Sequence, residues 1–242
     1  MQNDLTEKEE NEICLYLMAG LATAPHFMEK FRAALHSFLE SWGQPVHSEL
    51  LFPYGDWSRR VLPQLWEIRA DMRLGTDRIF KSIGGNRVLK AIASKRPSSK
   101  KQTLLFIGHS GGGIAGLHAA QLLQDSGSER YIVMIGSPKC RIPVQLDTSV
   151  LTINAADIRR GGRGKSPDRV SRLGTHGGWR AGKLGLPTWH RQKYAPIDNR
   201  NVPIIGGHAD YFRDSEPYVD VTGRSNLDLT LETIQTWLTR LK

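Results

Sequence analysis

Apolar residues fall into two patterns along the chain, and their alternation predicts the architecture. Glu12-Ile13-Cys14-Leu15-Tyr16-Leu17-Met18 is almost continuously apolar, as a parallel strand covered on both faces should be. Shorter runs of the same kind recur at 47–52, 103–107, 131–135, 149–154 and 201–206. Between them the period lengthens to that of a helix. Phe27, Met28, Phe31, Leu35, Phe38, Leu39 and Trp42 share one stripe. Thr23 is its candidate cap, Pro25 sits near the first turn, where a missing N–H costs little, and Gly43 ends it. Residues 57–95 read as mostly helical, with interruptions at Pro63, Gly75 and Gly84-Gly85. A further helix ends near Asp125, and Leu227, Leu231, Ile234, Leu238 and Leu241 mark a C-terminal one. About six strands alternating with helices predict an α/β protein with a mostly parallel sheet.

One strand carries chemistry at its end. Thr103-Leu104-Leu105-Phe106-Ile107 runs into Gly108-His109-Ser110-Gly111-Gly112, and a helix-forming stretch follows without a break. This is G-x-S-x-G in the strand, turn and helix setting that gives the motif meaning. The turn lifts the serine hydroxyl above the sheet edge, and Gly108 and Gly112 leave room for the crossing chain. The helix also aims its unpaired N–H groups and positive dipole end at the same spot. A serine nucleophile there requires an acid and then a histidine, each beyond a later strand. Of eight histidines, only His208 follows the last strand-like run, in Gly207-His208-Ala209-Asp210-Tyr211-Phe212. Asp157, just past the 149–154 strand, is the expected acid, with Asp168, Asp198 and Asp210 as rivals.

On these residues the chain resembles the α/β-hydrolase superfamily, and within it bacterial lipase- and esterase-like members. The serine turn is similar to that of class 3 lipases, which favour G-H-S-x-G-G before a small-residue helix. Gly111 stands where those usually carry Leu. The resemblance covers roughly residues 12–157 and 200–241. It implies a compact α/β-hydrolase fold of about six mostly parallel strands flanked by helices, without the two leading strands of larger members. It implies one domain over 1–242, with a long insertion at 158–200 between the last two strands. It implies a serine hydrolase that cleaves carboxylic esters through Ser110, His208 and Asp157 by way of an acyl-enzyme. Its oxyanion hole would take one backbone N–H from Gly111 and one from the Gly20-Leu21-Ala22 turn, where Leu21 is the expected donor. An acyltransferase or thioesterase would use the same residues. A catalytically silent fold that serves as a binding protein is the reading of a different class.

The insertion changes the picture of charge. Residues 158–200 hold eleven Lys or Arg against two acids, Asp168 and Asp198, an excess equal to the net +9 of the whole chain. So long a loop is usually functional or mobile. It is expected to shape the mouth of the site, with Trp179 and Trp189 as substrate contacts. Its charge suits anionic substrates or peripheral contact with anionic surfaces. The expected substrate is a small-molecule or lipid ester, and no nucleic-acid partner is expected. No CxxC, HExxH or phosphate-binding glycine loop occurs, so neither a metal nor a cofactor is expected. No apolar run of about 18 residues predicts a transmembrane segment. The N-terminus lacks the character of a signal peptide, and two cysteines make no disulfide framework, so a reducing, cytoplasmic setting is expected.

Overall fold

The computed structural model describes residues 11–93, 102–124, 127–156, 166–182 and 185–241. Its strands are β1 (Glu12–Met18), β2 (Val46–Leu51), β3 (Gln102–His109), β4 (Glu129–Ile135), β5 (Val150–Ala155), β6 (Gly178–Ala181), β7 (Pro187–His190) and β8 (Asp198–Val202). Six of them form one sheet in the order β2-β1-β3-β4-β5-β8, and every neighbouring pair is parallel. Strands β6 and β7 form a separate antiparallel hairpin. The helices are α1 (Glu29–Glu40), α2 (Val61–Met72), α3 (Ile83–Ala93), α4 (Gly111–Leu122) and α5 (Asn226–Leu241).

Strand side chains alternate between the faces of a sheet, and here each face finds its own helical layer. Leu15 and Leu17, Leu105 and Ile107, and Val133 and Ile135 pack with α1 and α5. Cys14, Tyr16 and Met18, Leu104 and Phe106, and Ile132 and Met134 pack with α3 and α4. Both faces of β1, β3 and β4 are thus buried, which is why their sequences read as continuous apolar runs rather than as alternation. Cys14 and Cys140 are both buried. No described helix is long and apolar enough to cross a membrane.

Several expected boundaries shift. Pro63 lies inside α2 rather than interrupting it, because it falls in the first turn, where its N–H would have no helical partner. Gly84 and Gly85 belong to the first turn of α3, whose backbone approaches Tyr54, Ala115 and His118 so closely that a Cβ would collide with them. Thr23 does not cap α1, which starts at Glu29 after Met28; its hydroxyl donates to Leu21 O in the preceding loop (3.4 Å). The last sheet strand ends at Val202 rather than running to 206, since Pro203 has no N–H to give to a ladder.

The chain leaves β1 for β2 on one side and returns to β3 on the other. Such a reversal opens a crevice at the carboxyl ends of the two central strands. The register pairs Met18 with Gly108, so β1 and β3 end level. The loop after β1 and the turn after β3 therefore meet in that crevice.

Candidate functional site

Ser110 occupies the turn between β3 and α4 with φ 56° and ψ −129°, a conformation that costs a residue with a side chain on the order of 1–3 kcal/mol. Its surroundings hold it there. Ser110 N–H donates to Ile135 O at the end of β4 (2.9 Å). A Cβ on Gly108 would strike the Gly112 and Gly113 backbone, and one on Gly112 would strike the Met18 carbonyl. Gly20 is equally confined, because a Cβ there would lie 2.6 Å from Ser110 Cβ. Helix α4 is buried along its first ten residues and starts directly at the serine.

The loop after β1 is shaped for the same spot. Ala22 also has a positive φ, 48°. Its N–H donates to Gln64 Oε1 (3.0 Å). Gln64 is buried on α2, and its amide donates to Asp56 O (2.9 Å) and Arg59 O (2.8 Å). The N–H groups of Leu21 and Gly111, the two expected oxyanion donors, are taken by no acceptor among the described residues.

His208 stands in the loop between β8 and α5. Its Nδ1 lies 3.0 and 3.1 Å from the two carboxylate oxygens of Asp168. That contact fixes the tautomer: Nδ1 carries the proton and donates, and Nε2 keeps its lone pair. Asp168 is fully buried. Burial alone would raise its carboxyl, but bonds from His208, Ser171 N–H and the Tyr211 hydroxyl hold it below the usual carboxylate range. Tyr211 Oη donates to Asp168 Oδ2 (3.0 Å) and accepts from Ala155 N–H (2.8 Å), which ties the acid to the end of β5. Within its own segment Asp168 Oδ1 accepts the Val170 and Ser171 N–H groups (2.8 and 3.2 Å).

His109 braces the imidazole. Its Nε2 donates to His208 O (2.8 Å), and the two rings stack with centroids 4.7 Å apart and 27° between planes. Burial holds the His109 pKa down to about 4, so the ring is neutral. Among the described residues its buried Nδ1 has no hydrogen-bond partner.

Ser110, His109 and His208 open into one cavity of about 690 Å³, whose wall includes Leu21, Phe27, Leu65, Ile68, Met72, Val170 and Leu173, with Arg69 and Arg73 at its edge. This is the size and character of a small-molecule site. No hydrogen bond joins Ser110 Oγ to His208 among the described residues.

The structure thus brings Ser110, His208, Leu21 and Gly111 to one edge of the sheet. The expected acid, Asp157, lies outside the described residues. The carboxylate on His208 is Asp168, one of the three rivals. The other two are engaged elsewhere: Asp198 accepts from Trp237 Nε1 (3.0 Å), and Asp210 accepts from Gly207 N–H (2.9 Å). Trp179 and Trp189 do not line this cavity. They face each other across β6 and β7, with ring centroids 5.3 Å apart, and remain 59% and 44% exposed. From the insertion it is Val170, Leu173 and Gly174 that reach the cavity. Gln64, Tyr211 and the bracing role of His109 carry no motif of their own. Asp168 did carry a signal, as one of only two acids in a basic stretch. Among the described residues no group of three or more His, Cys, Asp or Glu side chains is gathered to hold a metal ion.

The chain matches no protein-family model and no curated protein.

Proposed function

We propose that the protein is a serine hydrolase of carboxylic esters, built on a compact α/β-hydrolase fold, with Ser110 as nucleophile, His208 as base and Asp168 as the orienting acid. One observation carries this reading: a histidine held in the Nδ1–H tautomer by a buried aspartate opens into the same cavity as a serine in a left-handed turn at a helix start. The order along the chain, serine, acid, histidine, is the one this turn demands.

Ester binding brings His208 Nε2 to Ser110 Oγ, a contact that commonly tightens only with substrate in place. Ser110 Oγ attacks the carbonyl carbon while Nε2 takes its proton, and Asp168 stabilises the imidazolium. The N–H groups of Leu21 and Gly111 receive the oxyanion, and loss of one such donor typically costs ~10²–10³ in rate. Collapse expels the leaving group, which takes the proton from His208. Water then enters and attacks the acyl carbon while His208 takes its proton, and His208 passes that proton to Ser110 Oγ as the acid leaves. The apolar wall formed by Phe27, Leu65, Ile68 and Leu173 suits an acyl chain.

A fluorophosphonate probe tests the reading, since it labels only an activated serine. The expected result is one label per chain, lost in Ser110→Ala, together with hydrolysis of p-nitrophenyl butyrate. A folded protein that neither labels nor hydrolyses any short ester is a binding protein instead.

A further inference from the structure

A second cavity, of about 510 Å³, adjoins the first, and its lining includes Lys139, Arg172, His176, Trp189 and Arg191. The two share Gly174. Around it the chain segments 138–139 and 172–174 run side by side: Lys139 N–H donates to Leu173 O (2.8 Å), and Thr175 N–H donates to Lys139 O (3.2 Å). Pro138 and Leu173 turn to the Ser110 cavity, while Lys139 and Arg172 turn to the other. Only glycine fits at 174, because a Cβ would fall on the Lys139 carbonyl oxygen.

Among the described residues no carboxylate lines this second cavity. Among the described residues neither Lys139, Arg172 nor Arg191 pairs with an acid. The two acids of the 158–200 segment are committed elsewhere, Asp168 to His208 and Asp198 to Trp237, Arg200 and Arg240. Three cations around one hollow repel one another unless an anion joins them. Arginine forks and a lysine ammonium match phosphate oxygens in particular.

We infer that this basic cavity binds the phosphate of the substrate's leaving group, so that the ester or thioester cleaved at Ser110 is carried on a phosphorylated alcohol or thiol. The inference rests on the acyl-transfer reading above and names its substrate class. The acyl chain lies along the apolar wall, the scissile carbonyl sits at Ser110, and the leaving group crosses Gly174 to Lys139, Arg172 and Arg191. The phosphate belongs either to a nucleotide thiol carrier, whose base would find the Trp189 ring beside the cations, or to a lipid headgroup.

The test compares wild type with Arg172→Gln, Arg191→Gln and the double variant on three butyryl substrates. These are neutral p-nitrophenyl butyrate, butyryl-coenzyme A and dibutyryl phosphatidic acid. In parallel, pyrophosphate is titrated calorimetrically into Ser110→Ala and into Ser110→Ala with both arginines replaced. One phosphorylated substrate should be preferred, and its KM should rise ~10-fold for each arginine lost, with kcat little changed. The neutral ester should be unaffected. Preference for the thioester assigns a nucleotide carrier, and preference for the lipid assigns a headgroup. Pyrophosphate should bind the parent and not the double variant. The proposal is overturned if the arginine variants alter all three substrates alike or none. It is equally overturned if pyrophosphate binds both proteins equally or neither. The calorimetry needs no turnover, so it decides the phosphate site even if the hydrolase reading fails.

Discussion

The molecule assembles serine, histidine and aspartate twice, and the two assemblies are wired in opposite order. At the sheet edge Asp168 holds His208, while Ser110 opens into the same cavity. Between α2, α3 and α4, Asp71 instead holds the serine. Its Oδ2 accepts from Ser82 Oγ (3.0 Å), Tyr54 Oη (2.8 Å) and Gly84 N–H (2.7 Å), and its Oδ1 accepts from Ile83 N–H (2.8 Å). Ser82 Oγ has already given its proton to that carboxylate, so it can only accept from His118 Nδ1 and Gly85 N–H (both 2.9 Å). All three side chains are sealed from solvent. The second cluster caps the start of α3 and ties it to α4. The first leaves an imidazole lone pair and a hydroxyl to a cavity. The same three residue types thus give a joint in one place and a candidate nucleophile in the other, and the difference lies in which partner the carboxylate takes and whether a substrate can enter.

The serines should separate the two roles most widely. Ser110→Ala is expected to lower kcat on p-nitrophenyl butyrate by a factor of ~10⁴ or more, because the triad acts as a unit. Its Tm should hold, since no side-chain bond is lost. Ser82→Ala should leave kcat within about twofold and lower stability by about 1–3 kcal/mol, because Asp71 and His118 each lose a buried partner. Denaturant titration and steady-state rates measured on the same preparations decide the matter. A Ser82→Ala enzyme as dead as Ser110→Ala would erase the distinction.

The carboxylates come next. Asp168→Asn should keep the fold and cost ~10²–10⁴ in kcat, because an amide can present its NH₂ to His208 Nδ1 and thereby favour the wrong tautomer. Asp71→Asn should spare kcat and cost about 2–4 kcal/mol of stability, since two backbone donors and two hydroxyls lose a charged acceptor. Asp157→Asn, measured alongside, should change kcat by less than about twofold if Asp168 is the acid, given the size of that effect in a true triad. A crippled Asp157→Asn with an active Asp168→Asn reverses the assignment.

How far each cluster was legible in the sequence follows from how local its cause is. The Ser110 turn is written in consecutive residues: an apolar strand, glycines at 108 and 112 where backbones cross, and a small-residue helix. His208 follows from strand order. Asp168 does not, because it reaches His208 from inside a 42-residue connection between Ala155 and Asp198. Nothing periodic in that stretch says which turn folds back, and proximity to the strand end favoured Asp157. The β6–β7 hairpin was missed for a related reason. Its four-residue strands lie off the main sheet with most side chains exposed, so no burial pattern marks them, and the tryptophans that looked like pocket walls face each other instead. The Asp71 cluster is invisible to motif reading, since its members meet only after α2, α3 and α4 pack.

Gln64 offers a finer probe of the active-looking cluster. It fixes the N–H of Ala22, beside Leu21 in the cavity wall, and so steadies the turn expected to supply an oxyanion donor. Gln64→Leu should lower kcat by ~10-fold with a smaller change in KM, since a misaimed donor is felt mainly at the oxyanion. A change in KM alone would mean that the loop positions substrate rather than charge.

The smallest expected effect concerns pH, and it turns on the histidine of each cluster that must stay neutral. Burial holds both His109 and His118 down to about 4, against an ordinary value of 6.5, with Asp71 opposing the shift at His118. Burial lowers His176 as well. The unfolded chain therefore binds more protons than the folded one between 6.5 and 4. Stability is fully present above pH 6.5 and is lost as pH falls toward 4, by about 1.4 kcal/mol per pH unit for each of His109 and His118. Glu67, lowered to about 2 by its bonds to Arg59 and Arg87, contributes only at lower pH, so the window from 5 to 6.5 isolates the histidines. His118→Gln keeps an amide donor for Ser82 but cannot titrate. Its unfolding free energy should start below that of wild type at pH 7 and fall less steeply through that window, by about one proton's worth of slope. Equal slopes in the two proteins would show that His118 is protonated in the folded state. The Ser82 hydroxyl would then sit between a cation and Asp71 in a buried ionic triad, and the cluster would no longer be the neutral joint described above.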